Sequence, residues 1–439
     1  MITYKLKTIF ASLLLVAAMT ACSSDDDDDV TETVSAPELV STSPADGETD
    51  VDPTITEVTL TFDKNINFVS SNASKITLND ESVSKAQVIG TSPTLTITVE
   101  LELATTYTLS VPAGLITGPN STEVGAVSIT FTTVSVDIST DLSNSAATDA
   151  AKTLFVQMAA NYGSKVYSGA MANVNWNYEN ATQVYNWTGS YPAVNCFDYI
   201  HLLYSPANWI DYSDITPVQE WYDAGGIVAA MWHWNVPESE GSDEVNFYAS
   251  GNSFSVTEAL TDGTWENEQL LSDLEDISTH LLLLQDAGIP VLWRPLHEAS
   301  GAWFWWGAEG STAFINLWIT MYDYFLEKGV NNLIWVWTSC EGTDTDWYPG
   351  DDYVDIIGID LYSQSSASTI YGFYSTLTKQ YPDKMIALSE CGTVADISDQ
   401  WSAGCKWLWF MPWYDGDDTV HADSSWWTDA MGQSYVITR

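Results

Sequence analysis

Between residues 146 and 439 the sequence alternates eight times between a short apolar run and a stretch with helical spacing. The runs cover 165–171, 191–197, 226–232, 289–296, 332–338, 354–361, 385–389 and 406–411. Short continuous apolar runs suit strands buried on both faces, as parallel strands are beneath covering helices. The clearest intervening helix is 266–287, where Leu270, Leu274, Ile277, Leu281 and Leu284 recur every three or four residues. The stretch 314–326 is another. Eight such repeats predict an α/β fold of the (β/α)8 TIM-barrel class. Only the connection 340–352, between the fifth and sixth runs, leaves little room for a helix.

In such a barrel the chemistry sits at the carboxyl ends of the strands. The fourth run ends in Arg294, His297 and Glu298, followed by Trp303, Trp305 and Trp306. The seventh ends in Ser389-Glu390, the third in Trp232-His233-Trp234-Asn235, the sixth in Asp360 and Tyr362, and the eighth supplies Trp409 and Trp413. A buried ion pair with Trp packed around it would explain the fourth end structurally, but burying charge without a use is costly. Strands four and seven lie on roughly opposite sides of the mouth, so Glu298 and Glu390 are expected to face each other. Two carboxyl groups across an aromatic cleft are the equipment of a glycosidase. Arg294 and Tyr362, also counted among the candidate substrate-binding residues, would lie near Glu390 and favour its ionised form, and Trp side chains around Glu298 would raise its pKa by desolvation. Trp303, Trp306, Trp409 and Trp413 are candidate platforms for the flat faces of sugars, and Trp305 a core residue.

Composition narrows the substrate. The chain carries 13 Lys+Arg against 59 Asp+Glu, a net charge of -46. That surface repels nucleic acid, anionic lipid and acidic polysaccharides, so a neutral substrate is expected. Only two arginines occur, Arg294 and Arg439, and one of them falls in the proposed site. His201, His280 and His421 show no metal-ligand spacing, and nothing in the sequence calls for a metal, nucleotide or flavin. Cys196, Cys340, Cys391 and Cys405 are even in number and permit disulfides of undetermined pairing. Cys391 follows Glu390 and is expected to pack behind it.

The motif Trp293-Arg294-Pro295-Leu296-His297-Glu298, with Trp303-Phe304-Trp305-Trp306-Gly307 after it, a later Ser389-Glu390 and an earlier Trp232-His233-Trp234, resembles glycoside hydrolase family 26. The resemblance covers residues 146–439. It implies a retaining endo-β-1,4-mannanase acting on mannan, glucomannan or galactomannan, with Glu298 as acid/base and Glu390 as nucleophile. It further implies that His297 orients the carboxylates, His233 contacts the sugar beside the scissile bond, Trp303 stacks on the leaving-group side, and Tyr362 hydrogen-bonds the nucleophile. The family also includes β-1,3-xylanases and mixed-linkage β-glucanases, which share both glutamates, so the substrate stays open. An exo-acting mannobiohydrolase would need loops such as 237–263 to close one end of the cleft. A non-catalytic surface glycan-binding protein would have lost a catalytic carboxylate, and both are present.

The first 145 residues are built differently, and all 21 tryptophans lie at or after Trp176. Residues 1–22 read as a targeting segment: Lys5 and Lys7 precede an apolar stretch, 9–19, too short to span a membrane stably. It ends in Met19-Thr20-Ala21-Cys22, which resembles a bacterial lipoprotein signal and implies lipidation of Cys22. Residues 23–36 form an acidic tether whose five aspartates, 25–29, keep it extended. An acidic run directly after the lipidated residue resembles surface-export signals of some Gram-negative polysaccharide degraders, implying an outer-membrane, surface-exposed monomer. From 37 to 134 short Thr-, Val- and Ile-rich runs alternate with period two, as in an antiparallel β-sandwich. Ser43-Pro44-Ala45-Asp46-Gly47 and Thr61-Phe62-Asp63 resemble bacterial immunoglobulin-like domains. Its few rings include Phe62 and Phe131, which alternate with Thr as core positions do, so the domain reads as a spacer. Residues 135–145 are a polar linker, and 146–439 the barrel.

Overall fold

The computed structural model describes residues 35–439 except 54, 103, 135–136, 174–175, 203–209, 341, 343 and 416–419. The targeting segment with Cys22, and the acidic tether up to residue 34, lie outside the described residues.

Among the described residues, eight parallel strands close into a barrel: β1 (Val166–Met171), β2 (Val194–Asp198), β3 (Ile227–Trp232), β4 (Val291–Pro295), β5 (Leu333–Ser339), β6 (Ile356–Tyr362), β7 (Met385–Gly392) and β8 (Trp409–Pro412). They pair in sequence order, and β1 closes the ring by pairing with both β2 and β8. A short strand, Val436–Ile437, adds to the start of β1. The covering helices are α1 (Asp149–Asn161), α2 (Glu179–Thr188), α3 (Thr216–Asp223), α4 (Trp265–Asp286), α5 (Ser311–Glu327), α6 (Ala367–Gln380), α7 (Ile397–Ser402) and α8 (Ser424–Met431). Helix α4 matches its leucine spacing and starts where Thr264 caps the Asn267 amide at 3.1 Å. Among its described residues the β5–β6 connection holds two single turns, Thr345–Trp347 and Asp351–Tyr353, and no longer helix, as its length requires.

Alternation along the strands places the site. Tyr167, Met171, Val194, Cys196, Ala229, Met231, Leu292, Ile334, Val336, Ile356, Met385, Ala387, Trp409 and Met411 form one buried cluster, the barrel interior. Because strand side chains repeat with period two, the next position on the same face at each strand end reaches the mouth. These positions are Asp198 on β2, His233 after β3, Arg294 on β4, Thr338 on β5, Asp360 and Tyr362 on β6, and Trp413 after β8.

Strand β7 breaks the rule. Met385 and Ala387 point inward, so strict alternation would aim Ser389 inward and Glu390 out into the helix layer. The pairing with β6 slips here: Ile359 faces Leu388, but Asp360 faces Glu390. The pairing with β8 slips at the same place. One extra residue, a β-bulge, resets the alternation and brings both Ser389 and Glu390 to the mouth. Gly358 of β6 makes room for it, since a Cβ there would lie 2.4 Å from Ser389 Oγ and 2.8 Å from Ser389 Cβ. Gly358→Ala is therefore expected to cost about 1–3 kcal/mol through overpacking, read as a lowered unfolding midpoint. An unchanged midpoint would show that the bulge can move aside freely.

The N-terminal domain is all-β, an immunoglobulin-like sandwich. One sheet contains Leu39–Ser43, Glu57–Ile66, Ser92–Thr98 and Ala86–Gln87; the other contains Glu48–Val51, Val127–Thr133, Thr106–Val111, Thr77–Leu78 and Glu81–Ser82. Leu39–Ser43 with Glu57–Ile66, Ala86–Gln87 with Ser92–Thr98 and Thr77–Leu78 with Glu81–Ser82 pair antiparallel as expected, whereas Glu48–Val51 pairs parallel to Val127–Thr133. Phe62, Tyr107 and Phe131 are buried, so these rings are core residues.

Candidate active site

Arg294 is the centre of the constellation. It is 2 % exposed. Its Nη2 donates to Glu390 Oε2 at 2.9 Å and to Asp360, and its Nε donates to Thr338 Oγ1 at 3.0 Å. A buried guanidinium is tolerated only with such partners. The sequence reading counted Arg294 among sugar-contacting residues; the structure corrects this, because the side chain is enclosed beneath the carboxylates, with Nη2 on Asp360 and Glu390, Nε on Thr338 and Nη1 towards Met231 Sδ. Glu390 receives a second hydrogen bond from the Tyr362 hydroxyl. Burial and then the Glu390 charge push the Tyr362 hydroxyl far up, so it stays a donor. Ser389 Oγ donates to Asp360 Oδ1 at 2.8 Å, tying the bulge to β6.

Glu298 stands on a bent segment. Leu296 and Glu298 have φ of 48° and 54°, left-handed values that side chains other than Gly adopt at a cost of about 1–3 kcal/mol each. That bend turns the chain out of β4 and back over the mouth. Glu298 Oε2 accepts from Trp303 Nε1 at 3.0 Å. One oxygen each from Glu298, Asp360 and Glu390 lie within 4.8 Å of one another. Three carboxyl groups thus meet one guanidinium, and they cannot all ionise cheaply. The Glu298 carboxyl is raised to about 7, by burial first and by the Glu390 charge second. Burial pushes Asp360 up too, against the pull of the guanidinium it contacts. The three carboxyls could offer ligand atoms to a cation, but Arg294 already places its positive charge against two of them.

The other walls are histidine and aromatic. His233 is held at two points by Asp198: its backbone N–H donates to Oδ1 at 3.2 Å, and its Nδ1 lies 2.6 Å from Oδ2. The carboxylate accepts from Nδ1–H and leaves Nε2 for the mouth. The His233 ring sits 4.6 Å from His297 and 5.7 Å from Trp413. His297 is 1 % exposed, and burial first, then Arg294 and His233, lower its pKa well below the usual range, so the imidazole is neutral. Trp303, 44 % exposed, offers an open ring at the rim. Trp413 is half-buried at the mouth.

Two of the expected platforms do not reach the cleft. Trp409 pairs in register with Tyr167, deep in the barrel interior, and is enclosed there. Trp306 is fully buried, stacked on Phe304 at 4.5 Å, with Nε1 donating to the His297 carbonyl at 2.8 Å. It props the loop rather than facing a ligand. Trp305 is a core residue, as its neighbours suggested. Among the described residues Cys196, Cys340, Cys391 and Cys405 are free thiols, and Cys391 packs in the helix-side core behind Glu390.

Comparison with known proteins places this constellation. The profile of glycosyl hydrolase family 26 matches residues 143–439, and that of a bacterial Ig-like domain matches residues 33–133. The chain belongs to glycosyl hydrolase family 26. A mannan endo-1,4-β-mannosidase of Thermothelomyces thermophilus is 39% identical over 292 residues, 63% of this chain and 58% of the relative. The chain spans about half the length of the other leading curated relatives, two mannan endo-1,4-β-mannosidases of Piromyces, at 49% and 50%. Among solved structures, the family 26 domain of a Prevotella bryantii endo-β-mannanase/endo-β-glucanase is 45% identical, with a TM-score of 0.65, covering 68% of this chain and 98% of that one. A β-mannanase from a symbiotic protist of the termite Reticulitermes speratus, solved with a gluco-manno-oligosaccharide, is 34% identical with a TM-score of 0.62, covering 69% and 97%.

The family 26 barrel also uses residues that sequence reasoning passed over. Asp198 directly follows the second apolar run, the same signal that singled out the fourth. Asp344 accepts from Ser300, from Ser339 and, at 3.0 Å, from the Cys340 amide, joining the Glu298 loop to the end of β5. Tyr248, 48 % exposed, stacks on Phe304 in a loop whose Ala249 amide donates to the Trp303 carbonyl at 2.7 Å.

Proposed function

We propose that the chain is a retaining endo-β-1,4-mannanase. The observation that carries the stereochemistry is the separation of the carboxyl groups. Oxygens of Glu298 and Glu390 lie within 4.8 Å, close to the roughly 5–5.5 Å of a retaining pair and short of the roughly 6.5–9.5 Å that lets water in between. Glu390 attacks the anomeric carbon while Glu298 protonates the departing glycosidic oxygen, giving a glycosyl-enzyme. Glu298, now ionised, takes a proton from water, which attacks the same carbon and frees Glu390. Arg294 and Tyr362 orient the nucleophile, and Trp303 and Trp413 bracket the sugar chain. The mannan substrate rests on the curated relatives' activities and on a neutral polymer suiting so acidic a surface.

The test is product analysis on linear mannan, galactomannan, β-1,3-xylan and mixed-linkage glucan, with the anomer of the first product read by proton NMR. Mixed-length oligosaccharides from the mannans, released as the β-anomer, are expected. Mannobiose alone would make the enzyme exo-acting, xylan or glucan activity alone would overturn the substrate, and an α-product would overturn retention. We further propose that lipidated Cys22 anchors the chain to the outer membrane at the cell surface, with the Ig-like domain as spacer; the charged, apolar and Cys-terminated order of residues 1–22 supports it. Cys22→Ala should shift the protein to the soluble fraction, and its retention in membranes would defeat the anchor.

A further inference from the structure

The reaction needs the Glu298 carboxyl at one place over the glycosidic oxygen, yet the segment that carries it is neither strand nor long helix. It leaves β4 through three left-handed residues, Leu296, Glu298 and Ala302, with φ of 48°, 54° and 55°. Residues other than Gly keep such values only where their surroundings enforce them. The enforcing contacts can be traced bond by bond.

The Gly301 amide donates to the Glu298 carbonyl at 3.1 Å and closes the turn Ala299–Gly301 directly after the acid. The backbone of Gly307 passes so near this turn that a Cβ there would lie 2.0 Å from the Ala299 carbonyl oxygen. Trp306 Nε1 holds the His297 carbonyl at 2.8 Å, and Trp305 Nε1 ties the loop to the Trp234 carbonyl, past the end of β3, at 2.7 Å. On the β5 side the tie is Asp344. Ser300, in the middle of the turn, donates to Asp344 Oδ2, which also accepts from the Cys340 amide at 3.0 Å. Asp344 Oδ1 accepts from Ser339 Oγ, which itself accepts from the Gly342 amide at 2.8 Å. Ser339 is fully buried and is the last residue of β5, so Asp344 is moored to the barrel on one side and holds the acid's turn on the other. Among the described residues Asp344 makes no hydrogen bond to Glu298 or Glu390, so its effect on the reaction runs through Ser300.

We propose that Asp344 is a positioning residue for the acid/base: through Ser300 it fixes the turn that aims the Glu298 carboxyl at the leaving oxygen. This rests on the mannanase reading and on Glu298 as the acid/base. Proton transfer demands a donor within hydrogen-bond reach of the oxygen it protonates, and a small displacement of a catalytic group is enough to slow a reaction strongly. Loosening the turn should therefore harm the protonation step and spare a reaction that needs no proton.

The experiment compares two rates in the wild type, Asp344→Ala, Asp344→Asn and Ser300→Ala. One is kcat on mannan, whose leaving oxygen needs a proton; the other is the burst of dinitrophenolate from a dinitrophenyl β-mannobioside, which needs none. Asp344→Ala should lower the mannan rate roughly 10–100-fold, the scale on which a misplaced catalytic group acts, with the burst near the wild-type rate. Ser300→Ala should show the same split, and the double variant should lose little more than either single one. Asp344→Asn keeps an oxygen for Ser300 and the Cys340 amide, so it should recover most of the mannan rate. Equal losses on both substrates, no loss on mannan, additive losses in the double variant, or an Asn variant as slow as the Ala variant would overturn the role. If Asp344→Ala does not fold, Ser300→Ala and Asp344→Asn give the same decision. Glu298→Ala, run beside them, separates the two readings: without a split there, the acid/base assignment itself fails, and with a split there alone, only the positioning role fails. If the wild type cleaves another glycan and no mannan, the mannanase reading fails, and the same pair of rates on that glycan and its dinitrophenyl glycoside decides the role of Asp344 separately.

Discussion

Glu390→Ala is expected to lower kcat on mannan by a factor on the order of 10⁴ or more, the scale on which removing a nucleophile acts. The geometry gives the reason. No other carboxylate can take over the attack. Asp360 is engaged by Arg294 and Ser389, and Glu298 is bound by Trp303 and carries the proton the leaving oxygen needs. The fold should survive, because Arg294 keeps Asp360 and Thr338 as partners after the substitution. Oligosaccharide binding should likewise stay measurable by calorimetry, since the aromatic walls are untouched. Turnover near the native rate in a folded variant would mean that Glu390 is not the nucleophile.

Much of this site was legible because a strand end carries its own ruler. His233, Arg294, Asp360 and Tyr362 each lie an even number of residues from an interior apolar position, and each reaches the mouth. The same ruler, applied to the eighth run, puts Trp409, Met411 and Trp413 on one face, so only the last of the three can touch a substrate. Expecting Trp409 to do so ignored how deep the first position lies. Trp306 was misjudged for a different reason: past the strand end the chain follows left-handed turns at Leu296, Glu298 and Ala302, where spacing no longer predicts direction. The bulge at Ser389 was invisible for a third reason. Nothing in Ala387-Leu388-Ser389-Glu390 marks an extra residue; it shows only in the pairing with Ile359 and Asp360, and in Gly358, which leaves space for it. Strict alternation would have turned Glu390 away from the cleft; the sequence placed it at the mouth only through its position at the end of the seventh run and through the resemblance, and the bulge is what brings it there.

Glu298→Ala should divide substrates by how much protonation their leaving group needs. On mannan the departing sugar hydroxyl is a poor leaving group, and losing the acid should cost about 10²–10⁴-fold. A dinitrophenyl β-mannobioside leaves without a proton, and its glycosyl-enzyme should still form at close to the native rate. The pH profile supplies a second readout. Glu298 must be protonated to act, and its pKa is raised to about 7. The wild-type kcat/KM on mannan should therefore fall as pH rises through about 7, and that alkaline limb should vanish in the variant. Stability carries the opposite face of the same shift. An unfolded Glu loses its proton near 4.3, so between there and about 7 the folded chain holds the extra proton and stability declines as pH rises. Glu298→Gln, which cannot ionise, should flatten that decline. Equal losses on both substrates, with the alkaline limb intact, would assign the proton to another group.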